Sequence, residues 1–291
     1  MSNIRPAFSP DEFKAQQRQM WDNAAAGWQN WWETIERAAQ KVSDKIVQLA
    51  EIQPGDRVLD IATGIGEPAV TAARRVKPNG KVLAIDISPQ MLLIAKTRAK
   101  SLGLDGVMEF RESDGEKIDL PDSTAKFDAI LSRWGLMFFP NLHAASVRIR
   151  QMLVNHGRLS AAVWSAQSKV PWLDLAFATV RKQINAPAPP PGTPGPFALA
   201  DIETLKQSFS QAGFKDVKID TIQITFEFDS PESYTRLHQQ TAMRIHEMLA
   251  NQIEEVKKQA WNSITEAAWQ YADSHGRVNL DNEAICIVGR N

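Results

Sequence analysis

A single cysteine, Cys286, stands in a chain of 291 residues. One thiol cannot close an intrachain disulfide, build a cysteine-based zinc site or supply the three-cysteine ligand set of an iron–sulfur radical enzyme. Histidine is nearly as scarce. His143, His156, His238, His246 and His275 show no metal-ligand spacing, so no divalent metal is expected. Long apolar runs are missing too: none approaches the roughly 20 residues a membrane helix requires, which excludes a membrane span. Met1 to Pro10 is polar and proline-containing without an apolar signal core, and a cytoplasmic location is the expectation. Nor is one charge in excess, since 33 Lys and Arg against 34 Asp and Glu leave a net charge of -1. A nucleic-acid binder usually carries a basic excess or stripe, so DNA and RNA are set aside in favour of a small-molecule partner.

What the chain does contain is an ordinary globular composition, 43% hydrophobic and 23% charged, and enough length for one enlarged α/β domain. From Glu51 to Trp164 short apolar runs alternate with helix-period segments, the pattern of a parallel sheet covered by helices. Arg57 to Ala62, Lys81 to Asp86, Val107 to Arg111, Phe127 to Arg133 and Gly157 to Trp164 read as strands. Helix ends are punctuated between them: Ser88 then Pro89 is an N-cap with proline at the first helical position, and Gly103 is a left-handed stop. Six prolines and two glycines in Ala186 to Pro196, APAPPPGTPGP, forbid both helix and ladder and predict a semi-rigid surface loop. Order resumes with a helix capped by Asp201. Val217 to Phe228 then alternates apolar and polar residues, and with the apolar run Ala284 to Val288 it reads as a closing strand pair. The expectation is an α/β fold with a Rossmann-like, seven-stranded, mostly parallel sheet. Residues 51–230 and 277–291 form the α/β domain and residues 1–50 an N-terminal helical lid segment. Residues 231–276, polar and too long for a hairpin turn, form an inserted helical cap.

The stretch Val58 to Ala69, VLDIATGIGEPA, reads as a strand, a glycine turn at Gly64 and Gly66, and a helix opened by Glu67 and Pro68. Such a turn lets a ligand approach the backbone closely. Farther on, at the end of the next strand, Asp86 can accept hydrogen bonds from both hydroxyls of a ribose, which implies a nucleoside cofactor. The spacing Gly64, Gly66, Ala69 also satisfies the dinucleotide fingerprint with alanine as its third member, the mark of an NAD(P)-dependent oxidoreductase. Charge separates the two readings. A pyrophosphate wants bare N–H groups at a positive helix terminus, whereas Asp60 precedes this loop and Glu67 opens the helix. Two carboxylates there repel phosphates and suit a cationic ligand bearing an ammonium and a sulfonium, although acids near a helix N-terminus are also favourable for the helix itself.

In these residues the chain resembles the class I S-adenosylmethionine-dependent methyltransferases, in particular the small-molecule branch of ubiquinone/menaquinone-type enzymes. The resemblance covers Val58 to Trp164 well and the flanks loosely. It implies S-adenosylmethionine as cofactor, with Asp60, Ala62, Gly64 and Gly66 bracketing the methionine portion and Asp86, beside Ile87, at the ribose. The family's acidic motif beside the adenine amino group is similar to Ser113-Asp114-Gly115-Glu116, which implies Asp114 and Gly115 there. Its segment after the fourth strand is similar to Ser132 to Phe139, SRWGLMFF, and implies that Arg133 and Trp134 line the cofactor. The chain departs from the family at Ala62, where glycine is common. It departs again at Asn155-His156-Gly157, where a Pro-Gly-Gly turn is more usual.

Trp21, Trp28, Trp31 and Trp32 place four of the nine tryptophans ahead of this domain, within an arc of about 100° if they share one helix. Such a face can stack on a flat substrate, close over a site, or simply anchor the segment to the sheet, and Gly27 argues against one rigid helix. Trp134 and Met137 are the further candidates for substrate contact. His238 and His246, in the cap segment, are the candidate bases. Together these imply transfer of the sulfonium methyl to an oxygen, nitrogen or carbon nucleophile of a small aromatic or apolar metabolite, secondary-metabolite and quinone-type compounds among them. The alternatives are the NAD(P)-dependent oxidoreductase and a catalytically silent, methyltransferase-like binding module.

Overall fold

The computed structural model describes residues 9–118, 126–190 and 192–291. Pro191, within the proline segment, lies outside the described residues, as do the first eight residues of the expected lid segment. Two helices come first, α1 (Pro10–Asn30) and α2 (Trp32–Leu49). α1 starts where the Ser9 hydroxyl accepts the Glu12 amide and Pro10 has no N–H to leave unpaired. It runs through Gly27 without a break. A Cβ at Gly27 would lie 2.0 Å from the Gln240 carbonyl oxygen, so the glycine serves close approach of another segment rather than a hinge. The break comes instead at Trp31 (φ -102°, ψ 8°). The four tryptophans therefore do not share one helix face: Trp21 and Trp28 lie on α1, Trp31 at the junction and Trp32 on α2.

The alternating part then runs β1 (Arg57–Ile61), α3 (Ala69–Val76), β2 (Lys81–Asp86), α4 (Pro89–Ser101), β3 (Met108–Glu112), β4 (Phe127–Arg133), α5 (Leu142–Gln151) and β5 (Leu153–Trp164). It continues as α6 (Pro171–Gln183), α7 (Ile202–Gln211), β6 (Lys215–Phe228), α8 (Pro231–Thr241), α9 (Met243–Leu249), α10 (Glu254–Ala268) and β7 (Val278–Arg290). The seven strands lie in the order β3-β2-β1-β4-β5-β7-β6. β1 to β5 are parallel, while β7 is antiparallel to both of its neighbours. Val58, Leu59, Ile61, Val82, Ala84 and Ile85 are all buried, as parallel strands covered on both faces require. The order reverses between β1 and β4, and the carboxyl ends of β1, β2 and β4 open a crevice there.

Two boundaries differ from the sequence reading. Asn155-His156-Gly157 lies inside β5, where His156 takes φ +67° and the pairing with β4 shifts register between Phe127 and Ala129, so a bulge stands where a turn was expected. β7 begins six residues before the apolar run because buried Val278 and Leu280 alternate with exposed Asn279 and Asp281. Tyr234, Leu237, Ile245 and Ile264 of α8 to α10 enter the same core as Trp164, Trp172, Phe226 and residues of α2. Within the proline segment, the Gly195 amide donates to the Met137 carbonyl at 2.9 Å.

Candidate active site

A cavity opens at the crevice. The loop after β1 contributes Ala62, Thr63, Gly64, Ile65 and Glu67; the end of β2 contributes Asp86 and Ile87; and the turn after β3 contributes Ser113, Asp114 and Gly115. The segment after β4 adds Arg133, Trp134, Gly135, Phe138 and Phe139, α4 adds Met91, and α1 adds Lys14, Gln17, Trp21 and Trp28. Two of these positions hold non-glycine residues in the left-handed region, Ala62 at φ +58° and Trp134 at φ +61°. Such conformations persist only where surrounding contacts enforce them. Trp134 donates its amide to the Ala162 carbonyl at 2.7 Å and stacks at 4.3 Å on buried Trp164. A Cβ at Gly135 would meet the Ala62 Cβ at 2.6 Å, so glycine is needed where the two loops touch.

The electrostatics decide what such a cavity accepts. Asp60 is fully buried behind the glycine loop, and its Oδ2 accepts the Ala69 amide, the first N–H of α3, at 3.1 Å. Glu67 accepts the Thr71 hydroxyl at 2.7 Å and the Thr71 amide at 3.3 Å. The helix terminus that a pyrophosphate would occupy is thus already engaged by the protein's own carboxylates. Asp86 accepts the Gly64 amide on one oxygen at 2.7 Å and the Ser88 amide on the other at 2.9 Å. Each carboxylate oxygen has a further acceptor site, so the pair suits the two hydroxyls of a ribose. Burial pushes the Asp60 carboxyl up to about 8 and the Asp86 carboxyl up to about 6. Burial, and then the nearby Glu36, raise Glu67 as well. A cationic group at the glycine loop relieves this concentration of buried acid, whereas a phosphate placed there aggravates it.

The cations on the wall are already paired. Arg133 makes a two-pronged pair with Glu36 of α2, at 2.5 and 3.0 Å, and also donates to the Ser43 hydroxyl at 2.8 Å. Lys14 of α1 pairs with Asp114 at 2.6 Å and with Glu116. Asp22 fixes α1 on the domain by accepting the Ser88 hydroxyl at 2.6 Å and the Gln90 amide at 3.3 Å.

Of the expected site residues, the cavity brings together Ala62, Gly64, Asp86, Ile87, Asp114, Gly115, Arg133, Trp21, Trp28 and Trp134. Gly66 packs against Ala95 of α4. Trp31 donates its indole N–H to Gln240 at 3.1 Å, Trp32 lies under the Arg98 guanidinium at 3.3 Å, and Met137 is buried in the core. Neither expected base lines the cavity. His238 of α8 is buried against Trp172, with Nε2 at 3.0 Å from the Trp172 carbonyl, and burial pulls its pKa down to about 4. His246 reaches the Gln239 carbonyl at 2.7 Å and packs on Trp261. The polar look of 231–276 concealed that α8 buries its own histidine, and no residue of that segment lines the cavity. Lys14 and Glu36 carried no local signal, because each pairs with a residue far away in sequence, and Gln17 reaches the wall only through the packing of α1.

The model of a family described as a methyltransferase domain matches residues 52–187. The ubiquinone/menaquinone biosynthesis C-methyltransferase of Pseudomonas putida is 35% identical over 113 residues, 39% of this chain and 43% of that protein. An uncharacterized protein of Mycobacterium tuberculosis is 32% identical over 144 residues, half of each chain. This chain thus spans at most half the length of these curated relatives. In fold it is similar to phosphoethanolamine N-methyltransferase 2 of Haemonchus contortus, solved with S-adenosylhomocysteine. That likeness has a TM-score of 0.56 and 16% identity, covering 98% of this chain and 60% of that one.

Proposed function

We propose that this chain, whose residues 52–187 match the model of a methyltransferase domain, is a class I S-adenosylmethionine-dependent methyltransferase that transfers a methyl group to an oxygen, nitrogen or carbon nucleophile of a small aromatic or apolar metabolite. The observation that carries this reading is the composition of one cavity wall. Buried carboxylates and a glycine loop form part of it, and an aromatic cluster forms another, with Trp21 at 6.1 Å from Trp28 and 5.7 Å from Phe138 between ring centres. When bound, S-adenosylmethionine supplies a sulfonium methyl activated for attack.

In this reading Asp86 takes the ribose hydroxyls on its remaining acceptor sites, and Asp60 and Glu67 supply negative charge opposite the cation. Asp114 faces the adenine amino group. Trp21, Trp28, Trp134 and Phe138 exclude water and hold a flat acceptor. Proximity and alignment of this kind supply about 7 to 11 kcal/mol of a barrier. Among the described residues, no histidine, cysteine or tyrosine lines the cavity, and its carboxylates Glu67, Asp86 and Asp114 are engaged by Thr71, by backbone amides and by Lys14; in this reading positioning carries the rate, which suits a nucleophile that needs no early deprotonation. The described part of the expected lid segment, residues 9–50, acts as the lid. Residues 231–276 buttress α1 through Gln240 instead of closing over the substrate. No described helix is long and apolar enough to cross a membrane, and action in the cytoplasm is part of the proposal.

The oxidoreductase alternative is disfavoured by the Asp60 carboxylate on the Ala69 amide. Calorimetric titration of the purified protein with S-adenosylhomocysteine and with NAD, followed by transfer of labelled methyl groups to a panel of small aromatic acceptors, tests the reading. Binding of S-adenosylhomocysteine without turnover of any acceptor would instead point to the silent binding module.

A further inference from the structure

Away from the glycine loop, three polar atoms of residues on the cavity wall are buried and have no partner in the protein: the indole Nε1 of Trp28, that of Trp134, and the carboxamide oxygen of Gln17. Buried donors and acceptors are ordinarily satisfied, so unmet ones on a cavity wall ask for a ligand. The charged groups of the same wall are already engaged. Lys14 is held by Asp114, Arg133 by Glu36, Asp86 by two backbone amides and Glu67 by Thr71. The Trp134 donor is also fixed in place, since its ring stacks on Trp164 and its backbone is pinned at φ +61°.

Two donors against one acceptor select a ligand with more acceptor than donor sites. An amine nucleophile offers the reverse: it brings N–H donors, and its one lone pair is the pair the reaction needs. The oxygen of a phenol or enol, once ionised, has lone pairs for two N–H donors and another for attack. Hydrogen bonds to the charged form lower the pKa of the bound hydroxyl. Its proton is then lost to solvent before methyl transfer, which fits a wall on which, among the described residues, no histidine, cysteine or tyrosine stands.

Resting on the methyl-transfer reading above, we infer that the acceptor is a flat phenol or enol bound as its anion, with the Trp28 and Trp134 indoles donating to the charged oxygen and Gln17 accepting from a second hydroxyl. A lone pair of that oxygen forms the new bond to the methyl carbon as the carbon–sulfur bond breaks. The electron pair of the broken bond goes to sulfur, leaving a neutral thioether and a neutral methyl ether.

The test uses the full chain loaded with S-adenosylhomocysteine and two flat probes of matched shape, 4-nitrophenol and 4-nitroaniline. 4-Nitrophenol is expected to bind about tenfold more tightly than 4-nitroaniline, with its absorbance showing an apparent pKa lowered by about one unit. Trp28→Phe and Trp134→Phe keep a ring and delete the N–H. Each should weaken 4-nitrophenol about tenfold, more than it weakens S-adenosylhomocysteine, and return the pKa of 4-nitrophenol towards the free value. Gln17→Leu, outside the stacked core, should weaken 4-nitrocatechol but not 4-nitrophenol. Equal binding of the aniline, failure of 4-nitrophenol to bind, or phenylalanine variants that leave its pKa unmoved would each overturn the inference. Failure of the wild type to bind S-adenosylhomocysteine would overturn the methyltransferase reading instead.

Discussion

Replacing Asp60 by asparagine separates what this residue does for the ligand from what it costs the fold. In the free protein, burial holds the Asp60 carboxyl at about 8 against an ordinary value of 3.8. A folded-state pKa above the unfolded one means that the native state binds the proton more tightly. The resulting stability is fully present below pH ~4 and is lost as pH rises towards about 8, at about 1.4 kcal/mol per pH unit. The carboxamide of the Asp60→Asn variant does not titrate. The difference in stability, variant minus wild type, should therefore grow by about 3 kcal/mol between pH 5 and pH 7, which for a chain of this size is roughly 4 to 8 °C in melting temperature. The comparison must be made as a difference at each pH. His238, depressed to about 4, acts in the opposite direction: its contribution is lost as pH falls from about 6.5 towards 4. The same substitution should weaken S-adenosylmethionine, because a charge that ionises opposite a sulfonium is gone. Wild-type binding at pH 7 should release protons, measurable by calorimetry in buffers of differing ionisation heat, and the variant should release fewer. A melting-temperature difference that stays constant from pH 5 to 7 would refute the reasoning.

Asp86→Ala should weaken S-adenosylhomocysteine by about 1.5 to 3 kcal/mol in calorimetry, since it removes a charged acceptor from the proposed ribose position. In the wild type, that affinity should fall below pH ~6, because the carboxyl sits at about 6 and its protonation removes acceptor capacity. Lys14→Met cuts the pair that joins α1 to Asp114; stopped-flow displacement should show S-adenosylhomocysteine leaving several-fold faster, with a weaker dependence on salt. His238→Ala should lower the melting temperature through a core cavity worth about 2 to 5 kcal/mol, yet leave turnover per folded molecule unchanged. A pH–rate profile altered in that variant would return His238 to the reaction.

The strands, the glycine turn and the carboxylate at the end of β2 were legible in the sequence because each is written locally, in apolar runs, in glycines, and in an acid placed where a strand must stop. The placing of two acids beside the turn was legible for the same reason, since Asp60 and Glu67 flank it within a few residues. The tryptophan face was misread at one peptide: the backbone breaks at Trp31, so helical periodicity counted across the junction put Trp31 and Trp32 on a face they do not share. His238 was misread because its exposure depends on Trp172, 66 residues away in the chain. The direction of Arg133 is set by Glu36, 97 residues earlier, and the partner of Asp114 is Lys14, 100 residues earlier. Local sequence fixes which conformations a segment prefers and which side chains it offers. Which of those side chains reach the cavity is decided by packing between segments that the sequence keeps apart, so that α1 and its unpaired Gln17 and Trp28 became part of the site only once the chain had closed over the sheet.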